Sequence, residues 1–301
     1  MGGAGRGGST FPLPSQFGYG GAMPSLADPR ERFAVAVQAD DEAIDLAEVA
    51  LLIAAEAYPE LDLGRYRATL DALGDGARAG VGAADTDAAR LRALIHYLAR
   101  EQRFVGNQDD YYDRRNSFLN EVLDRRTGIP ITLAVVYIEV ARRAGLAVAG
   151  VGFPGHFLAT FRGDAEEIVF DPYFGQVLSE DQCAQRLRAV MGQDTPFDRA
   201  YLRRATTKEI LVRMLRNLKQ IHLQAREFEP ALACSERILL VQPELPQELR
   251  DRGLLYQQLE CFSAAQADLE RFLSLAPNDD SVEVVREKLI EIRRQGGATL
   301  H

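Results

Sequence analysis

The segment from Gly128 to Ala134, followed by His156 and Asp171, has the layout of a thiol-enzyme active site without the thiol. In a Cys-His-Asp acyl-transfer site, the nucleophile stands at the N-terminus of a buried helix. Free N–H groups there lower its pKa and bind an oxyanion, and the His and Asp follow on adjacent strands. Pro130 occupies the position of the cysteine. Proline has no nucleophilic side chain, so the sequence keeps a candidate base and its orienting carboxylate with nothing to activate.

Each candidate also has a structural interpretation. Thr132 lies two positions beyond Pro130 and offers either a substitute hydroxyl or a partner for a helix-terminal backbone group. His156 fits a buried histidine bonded to a carboxylate, and Asp171 precedes a proline as many turn residues do. Gly155 allows close approach of the backbone directly before the histidine. Together, and in this order after a capped helix, these residues indicate a functional site more strongly than any one of them does alone.

A polar loop before the helix supplies candidate pocket residues, namely Asn116, Asn120, Tyr111 and Tyr112, although loop and cap roles explain them as well. Cys183 follows the aspartate within a later helix and is interpreted as a small buried hydrophobe. The chain has no glycine-rich phosphate loop and no metal-ligand spacing, so we expect neither a cofactor nor a metal.

The elements around these residues predict an α+β core. Residues 131–144 are apolar nearly all round, which indicates a buried central helix that Gly145 ends. Three short β segments follow at 148–153, 156–161 and 167–170, with a hairpin turn at residues 163 and 164. They predict a small antiparallel sheet against the helix.

Helical periodicity also precedes the central helix. One helix is predicted over residues 66–73, ended by Gly74 and Gly76, and another over residues 87–104. Ser117 is the expected N-cap of a short helix that runs through Val122. A further helix is predicted after the sheet, over residues 180–191.

The C-terminal third repeats with a period of 34 residues, the spacing of tetratricopeptide helix pairs. The matched positions are Phe228 with Phe262, Ala231 with Ala265, and Pro243 with Pro277. Two such repeats and a final helix are too short to be very stable alone, so we expect them to pack against the preceding domain.

Composition limits the classes of partner. The chain has 301 residues with 47% hydrophobic and 26% charged residues and a net charge of −9, which disfavours nucleic acid. Three cysteines without a paired motif favour free thiols in a reducing cytoplasm, and no apolar run is long enough to cross a membrane. Residues 1–27 are rich in Gly, Pro and Ser and are predicted to be disordered, with Met23 interpreted as the natural start.

One long stretch resembles the bacterial SirB-type family, in which a transglutaminase-like core is joined to C-terminal tetratricopeptide repeats. The residues that carry the resemblance are Asn116, Ser117, Phe118, Leu119, Val122, Leu123, the run 126–133, Tyr137, Ala141, Arg143, Gly145, Leu146, Gly150, Val151 and the run 153–158. The resemblance implies a papain-like α+β domain over residues 28–205 and repeats over 206–296. Against the wider transglutaminase pattern Gly-x-Cys-x-x-x-Ala, the chain has Gly128, Pro130 and Ala134, with His156 and Asp171 at the other two triad positions.

These observations favour a non-catalytic adaptor that binds a protein or peptide through the repeats and through the vestigial cleft. An amide or ester hydrolase is the alternative, with His156 and Asp171 activating water or Thr132. A third possibility is a scaffold in which the core only stabilises the repeats. Turnover that depends on His156 separates the first two hypotheses, because only the second needs its proton transfer.

Overall fold

Helices make up most of the protein, of which this computed structural model describes residues 28–298. The first part contains α1 (Pro29–Ala36), α2 (Leu46–Ala57), α3 (Leu63–Gly82), α4 (Asp87–Ile95), β1 (Val105–Gly106), α5 (Leu119–Arg125), β2 (Thr127–Gly128) and α6 (Pro130–Arg143). Next come β3 (Ala147–Val151), β4 (Leu158–Arg162), β5 (Glu167–Asp171), β6 (Gln176–Val177) and α7 (Glu180–Met191). The last part contains α8 (Thr207–Gln224), α9 (Phe228–Val241), α10 (Pro246–Gln258), α11 (Phe262–Leu275) and α12 (Val282–Ala298).

The central helix is α6, as the sequence predicts. Pro130 is its first residue, where the fixed φ of proline suits a helix and its missing N–H costs nothing. The helix ends in a Schellman motif: Gly145 has a φ of +83°, and the Leu146 N–H donates to the Ala141 carbonyl at 2.8 Å. Almost every residue between these ends is buried, because α3 covers one side of the helix and β3 and β4 cover another.

The main sheet is antiparallel in the order β3-β4-β5-β6. Ala159 pairs with Phe170 across β4 and β5, and Gly163 donates its N–H to the Glu166 carbonyl in the predicted hairpin. Alternate residues face opposite sides. Phe161 and Phe170 belong to the core around α6, while Leu158 packs with Leu187 of α7. Helices therefore cover both faces and hold the β4 and β5 ends in place.

Helix α3 is longer than the sequence predicted. It continues through Gly74 and Gly76 and ends at Gly82. A Cβ on Gly74 would lie 2.3 Å from the Cβ of Arg143, and one on Gly76 would lie 2.1 Å from the Tyr97 hydroxyl. The two glycines permit close packing of neighbouring helices, and this contact outweighs their low helix propensity.

Two further predictions before α6 were wrong in detail. The helix expected over residues 87–104 changes to π-helical hydrogen bonding at residues 96–101, and the chain then turns at Arg103, whose φ is +59°. Ser117 does not cap α5. It ends a short 3₁₀ turn, its Oγ is buried without a hydrogen-bond partner in the described part of the chain, and Phe118 is the N-cap. The parallel pair β1–β2 was not predicted, because each of its strands is only two residues long.

The C-terminal helices form the two predicted repeats. Phe228 and Phe262 begin α9 and α11, and Ala231 and Ala265 are fully buried one turn later. Gly253 lets α10 approach α11 closely, because a Cβ there would lie 2.8 Å from the Leu269 side chain. The small residues of the repeat pattern are thus the positions where paired helices touch.

The first repeat shares the hydrophobic core of the preceding domain. Leu211, Leu215 and Ile238 belong to the same buried cluster as the residues of α2 and α6. The Asp41 carboxylate accepts the N–H groups of Thr207 at 2.9 Å and Lys208 at 2.8 Å, where the first turn of α8 leaves them unpaired. The second repeat has a separate cluster with α12. The predicted packing against the core is confirmed, whereas the domain boundary at residues 205 and 206 stays a prediction.

Two expectations remain, one about the N-terminal residues and one about membrane-spanning helices. The predicted disorder of residues 1–27 and the start at Met23 lie outside the described residues. Within residues 28–298, no helix combines the length and the apolar character needed to cross a bilayer.

Candidate functional site

A tight turn between β3 and β4 presents His156. The His156 N–H donates to the Phe153 carbonyl at 3.1 Å, and Gly155 has a φ of +69°, which favours glycine. A Cβ on Gly155 would also lie 2.8 Å from the Val190 side chain of α7. The histidine therefore lies in this turn, before the strand rather than on it, because Pro154 and Gly155 delay β4 until Leu158.

Asp171 ends β5 and is fully buried beneath this turn. His156 Nε2 lies 3.1 Å from its Oδ1, and Arg186 Nη1 of α7 donates to its Oδ2 at 2.5 Å. The Tyr173 N–H donates to Oδ1 at 2.9 Å. A histidine, an arginine and a backbone amide thus surround one carboxylate, and they offset the free-energy cost of burying its charge.

These contacts decide the protonation of the pair. Burial alone would raise the pKa of Asp171, but the hydrogen bond and charge of His156, together with Arg186, hold that pKa below its usual value. An ionised carboxylate only accepts hydrogen bonds, so His156 Nε2 carries the proton. Among the residues the structure describes, His156 Nδ1 has no partner, and 19% of the side chain is exposed. This nitrogen is open to a hydrogen bond with a ligand or with water: it accepts one when the imidazole is neutral and donates one when the imidazole is charged.

Aromatic side chains surround the histidine. The Tyr173 ring meets the imidazole edge-on with centroids 6.0 Å apart, and the Phe174 ring stacks at 6.3 Å. Tyr111 packs against Tyr173 at 6.5 Å and against Tyr112 at 5.3 Å. Phe174 is 50% exposed and Tyr112 63%. We call these four residues (Tyr111, Tyr112, Tyr173 and Phe174) the aromatic rim.

The N-terminus of α6 carries the other two candidates, Pro130 and Thr132, and both are buried. The Thr132 hydroxyl donates to the Asn116 carbonyl at 2.7 Å and accepts the Ile129 N–H at 3.2 Å. The second bond is half of a capping box. The Thr132 hydroxyl therefore uses its proton and one lone pair in hydrogen bonds to the backbone. Neither Pro130 nor Thr132 offers a side chain that is free to attack a carbonyl.

Asn116 and Asn120 are buried beside this helix start. The Asn116 amide donates to the Asp110 carbonyl at 2.8 Å, and its Oδ1 accepts from the Asn107 amide at 3.1 Å. Asn116 thus orders the polar loop and does not line an open pocket. Asn120 is 3% exposed, and its Oδ1 has no hydrogen-bond partner within residues 28–298.

The short strand β1 connects the two ends of the candidate site. The Tyr173 hydroxyl donates to the Asn107 carbonyl at 2.7 Å, and the Asn107 N–H donates to the Gly128 carbonyl at 3.0 Å. A Cβ on Gly106 would lie 2.4 Å from the Tyr173 ring. The order of the residues along the chain does not predict this bridge, which links the Asp171 end of the sheet to the start of α6.

Sequence reasoning missed the residues that complete the pair. Tyr173 and Phe174 follow Asp171 after a single proline, and aromatic residues after a candidate carboxylate were the available signal. Arg186 carried no local signal, because it lies on one face of an ordinary amphipathic helix. Cys183, one turn before it, is fully buried, and burial raises the pKa of its thiol, so it does not supply a nucleophile.

The fold and the site together define a transglutaminase-like domain followed by tetratricopeptide repeats. The model of the transglutaminase-like superfamily matches residues 64–216, and a tetratricopeptide repeat model matches residues 218–289. The UPF0162 protein of Xylella fastidiosa strain 9a5c is 40% identical over 260 residues, which cover 85% of this chain and 92% of that protein. The chain belongs to the UPF0162 family.

Two other relatives show how far the likeness extends. The UPF0162 protein of Pseudomonas aeruginosa is 34% identical over 258 residues, which are 85% of this chain and 94% of that one. Protein SirB1 of Salmonella typhimurium is 29% identical over 201 residues, or 66% of this chain and 75% of that protein. The resemblance to the SirB-type family is therefore confirmed, as are the α+β core and the helical repeats.

Proposed function

We propose that this protein is a non-catalytic adaptor that binds a segment of a protein partner. The observation that carries the proposal is Pro130 at the first position of α6, where a Cys-His-Asp enzyme has its nucleophile. The Thr132 hydroxyl nearby is committed to two backbone groups. A helix start that holds no nucleophile supports binding and not acyl transfer.

The rest of the site suits a peptide. His156 Nδ1 offers one hydrogen-bonding position, and the aromatic rim supplies exposed rings on which an extended segment can pack. Tyrosine and phenylalanine give a large contact area for little loss of conformational entropy. This arrangement supports a cleft that kept its binding surface after losing its nucleophile.

The helical repeats extend the binding surface. Tetratricopeptide repeats generally mediate protein–protein interactions. A groove of about 760 Å³ lies where the two repeats meet, lined by residues 242–245 and Arg271. The first repeat shares the hydrophobic core of the preceding domain, so the repeat that forms one side of this groove is fixed relative to the candidate site. We further propose a cytoplasmic location, for which the three free thiols provide the support.

A hydrolase is the second candidate, and the His156–Asp171 pair favours it. An ionised Asp171 that holds the Nε2 proton leaves Nδ1 free to take a proton from water. This version needs an oxyanion-binding group as well as a base. It predicts ester or amide hydrolysis that disappears in His156→Ala.

The test uses the full chain, because removing the repeats would expose the shared core. We would attach a photo-crosslinker to an engineered cysteine beside Phe174 and identify the bacterial proteins captured by the wild type, Phe174→Ala and His156→Ala. Val177→Ala is the matched control, since Val177 is 44% exposed on β6 and is not one of the four rim residues. The proposal expects a partner that both site variants lose and the control retains.

The same preparations would be assayed against a panel of activated esters and peptide amides. The adaptor proposal expects wild type and His156→Ala to show the same background rate. Hydrolysis that requires His156 would contradict it and establish the second candidate instead.

A further inference from the structure

A polar pocket lies between the β3–β4 turn and the first repeat, next to the candidate site. Its volume is about 350 Å³, and its lining includes Gly152, Phe157, Tyr201, Arg213, Arg216 and Gln242. Phe157 directly follows His156 along the chain, so one wall of the pocket continues from the candidate site. The opposite wall is α8, which contributes the two arginines.

Arg213 lacks the partner that such a residue normally has. Among the described residues, two partly buried arginines have no carboxylate within ion-pair distance, namely Arg126 and Arg213; the other arginines without such a partner are exposed. The Arg126 guanidinium lies 4.5 Å from the centre of the Phe104 ring, and this cation–π contact takes the place of an ion pair. Arg213 has no hydrogen bond, ion pair or aromatic stack among those residues. Burying a charge without a partner is unfavourable, so its position needs a reason.

The pocket as a whole carries excess positive charge. Arg203 is paired with Glu209 at 2.7 Å, and that pair is neutral. Arg216 comes no closer than 3.9 Å to Glu248, whose Oε1 accepts from Lys219 at 2.6 Å. Of the two remaining arginines in the lining, Arg213 has no carboxylate within ion-pair distance among the described residues, and Arg216 shares Glu248, which lies outside the lining, with Lys219.

Helix α8, which carries both arginines, packs against the 3₁₀ turn at residues 114–117, which begins three residues after Tyr111. Burial raises the pKa of Tyr111, and the charge of Arg213 opposes that rise. Burial lowers the pKa of Arg213 itself, and Arg216 adds to that effect. Tyr111 packs against Tyr173, which packs against His156. A single extended segment can therefore reach both the rim and the pocket.

We propose that this pocket binds a carboxylate of the partner peptide, with Arg213 as its main contact and Arg216 as its second. A guanidinium matches a carboxylate with two parallel N–H···O bonds, which gives orientation as well as affinity. The carboxylate is either the C-terminus of the segment or an Asp or Glu side chain. The inference rests on the proposed function for its peptide, while the anion site itself stands on the pocket alone.

The pocket is tested first without a peptide. We would titrate the ¹⁵N-labelled full chain with glutarate and with glutaramide at constant ionic strength. The Nε–Hε resonance of Arg213 is the one missing from Arg213→Met. We expect it to shift saturably with the dicarboxylate and not with the neutral diamide. Equal shifts with both compounds, or no shift with either, would overturn the carboxylate site.

Peptides are tested second, on an array of short random sequences made with free and with amidated C-termini. We expect the bound sequences to need a carboxylate, and Arg213→Met to weaken them about tenfold or more, the usual loss for a charge-assisted pair. Arg213→Lys should keep part of the affinity. Arg92→Met, which removes an exposed and unpaired arginine from α4, should keep all of it. Amidation separates a C-terminal carboxylate from an acidic side chain.

The outcomes distinguish the two proposals. Peptides that bind through Phe174 but are indifferent to carboxylates and to Arg213→Met would overturn the pocket assignment and leave the adaptor proposal standing. A glutarate response with no peptide bound by the array would keep the anion site and count against the adaptor proposal. Thermal unfolding of Arg213→Met and Arg213→Lys would show that both variants remain folded.

Discussion

The polar side chains at the two ends of the candidate site differ in how far their hydrogen-bonding groups are already occupied. At the start of α6, Thr132 is fully buried, and its hydroxyl serves the backbone of Ile129 and Asn116. At the β3–β4 turn, His156 is partly exposed and its Nδ1 has no partner among the described residues, while Asp171 below it is fully engaged. One end is closed by its own hydrogen bonds, and the other presents a polar group to solvent.

Under the adaptor proposal, this difference explains how a site could lose its chemistry and keep its recognition surface. Replacing the nucleophile with proline still starts the helix well, because proline suits the first helical position. The His156–Asp171 pair does not depend on the nucleophile for its geometry, since Arg186 and the Tyr173 amide hold the carboxylate. The binding half of such a site can therefore persist when the reacting half is gone.

Asp171→Asn should produce the largest loss of stability. It removes a buried charge on which His156 and Arg186 converge and turns one acceptor into an N–H donor. We expect the free energy of unfolding to fall by about 3 kcal/mol, the low end for a broken buried pair because Arg186 is partly exposed. Urea unfolding followed by circular dichroism measures this. Glu180→Gln breaks the exposed pair with Arg199 and should not shift the midpoint. Equal effects of the two would refute the central role of Asp171.

Thr132→Val comes next and tests the closed end. Valine has nearly the same shape, so the change removes hydrogen bonds without creating a cavity. The Asn116 carbonyl and the Ile129 N–H lose their partner, which should cost about 2 kcal/mol in the same unfolding assay. The control is Thr69→Val, which loses only a bond to the Arg65 carbonyl within α3 and should have little effect. If Thr132→Val were neutral, the hydroxyl would be free for another role.

The contribution of Asp171 should depend on pH in one direction. Its pKa is lower in the folded protein than in the unfolded chain, so it binds protons more weakly when folded. The stability it adds is complete above the unfolded pKa of about 4 and is lost as the pH falls through the folded value. The difference in unfolding free energy between wild type and Asp171→Asn should thus be constant near neutrality and shrink in acid. A difference that grew in acid would mean that the folded pKa is raised.

Phe174→Ala should have the smallest effect on stability and a large one on binding. Half of the ring is exposed, and it contributes a stack on His156 and a face for Arg186 at 5.6 Å. We expect a loss of about 0.5 to 1 kcal/mol in unfolding free energy. The amount of partner that Phe174→Ala captures in the crosslinking assay should be well below the amount that Val177→Ala captures. Retained capture with an unchanged melting curve would place the binding surface away from the rim.

Periodicity predicted the main elements because their signals are local. The all-apolar stretch gave α6 within a residue at each end, and the repeat of 34 residues gave the paired C-terminal helices. Glycine misled the prediction of α3, where Gly74 and Gly76 serve contacts with Arg143 and Tyr97. A close approach between helices cannot be distinguished from a helix stop without knowing the neighbour.

The amino-acid sequence by itself determined the family, the order of the elements, and the presence of His156 and Asp171 without a cysteine before them. These depend on residue identity and on spacing along the chain. Only the tertiary structure decided that Arg186 completes the carboxylate site, that Thr132 is committed to the backbone, and that Arg213 lines a pocket with no ion-pair partner among the described residues. Those facts arise from contacts between residues far apart in sequence, where burial and the supply of partners determine what each polar group is free to do.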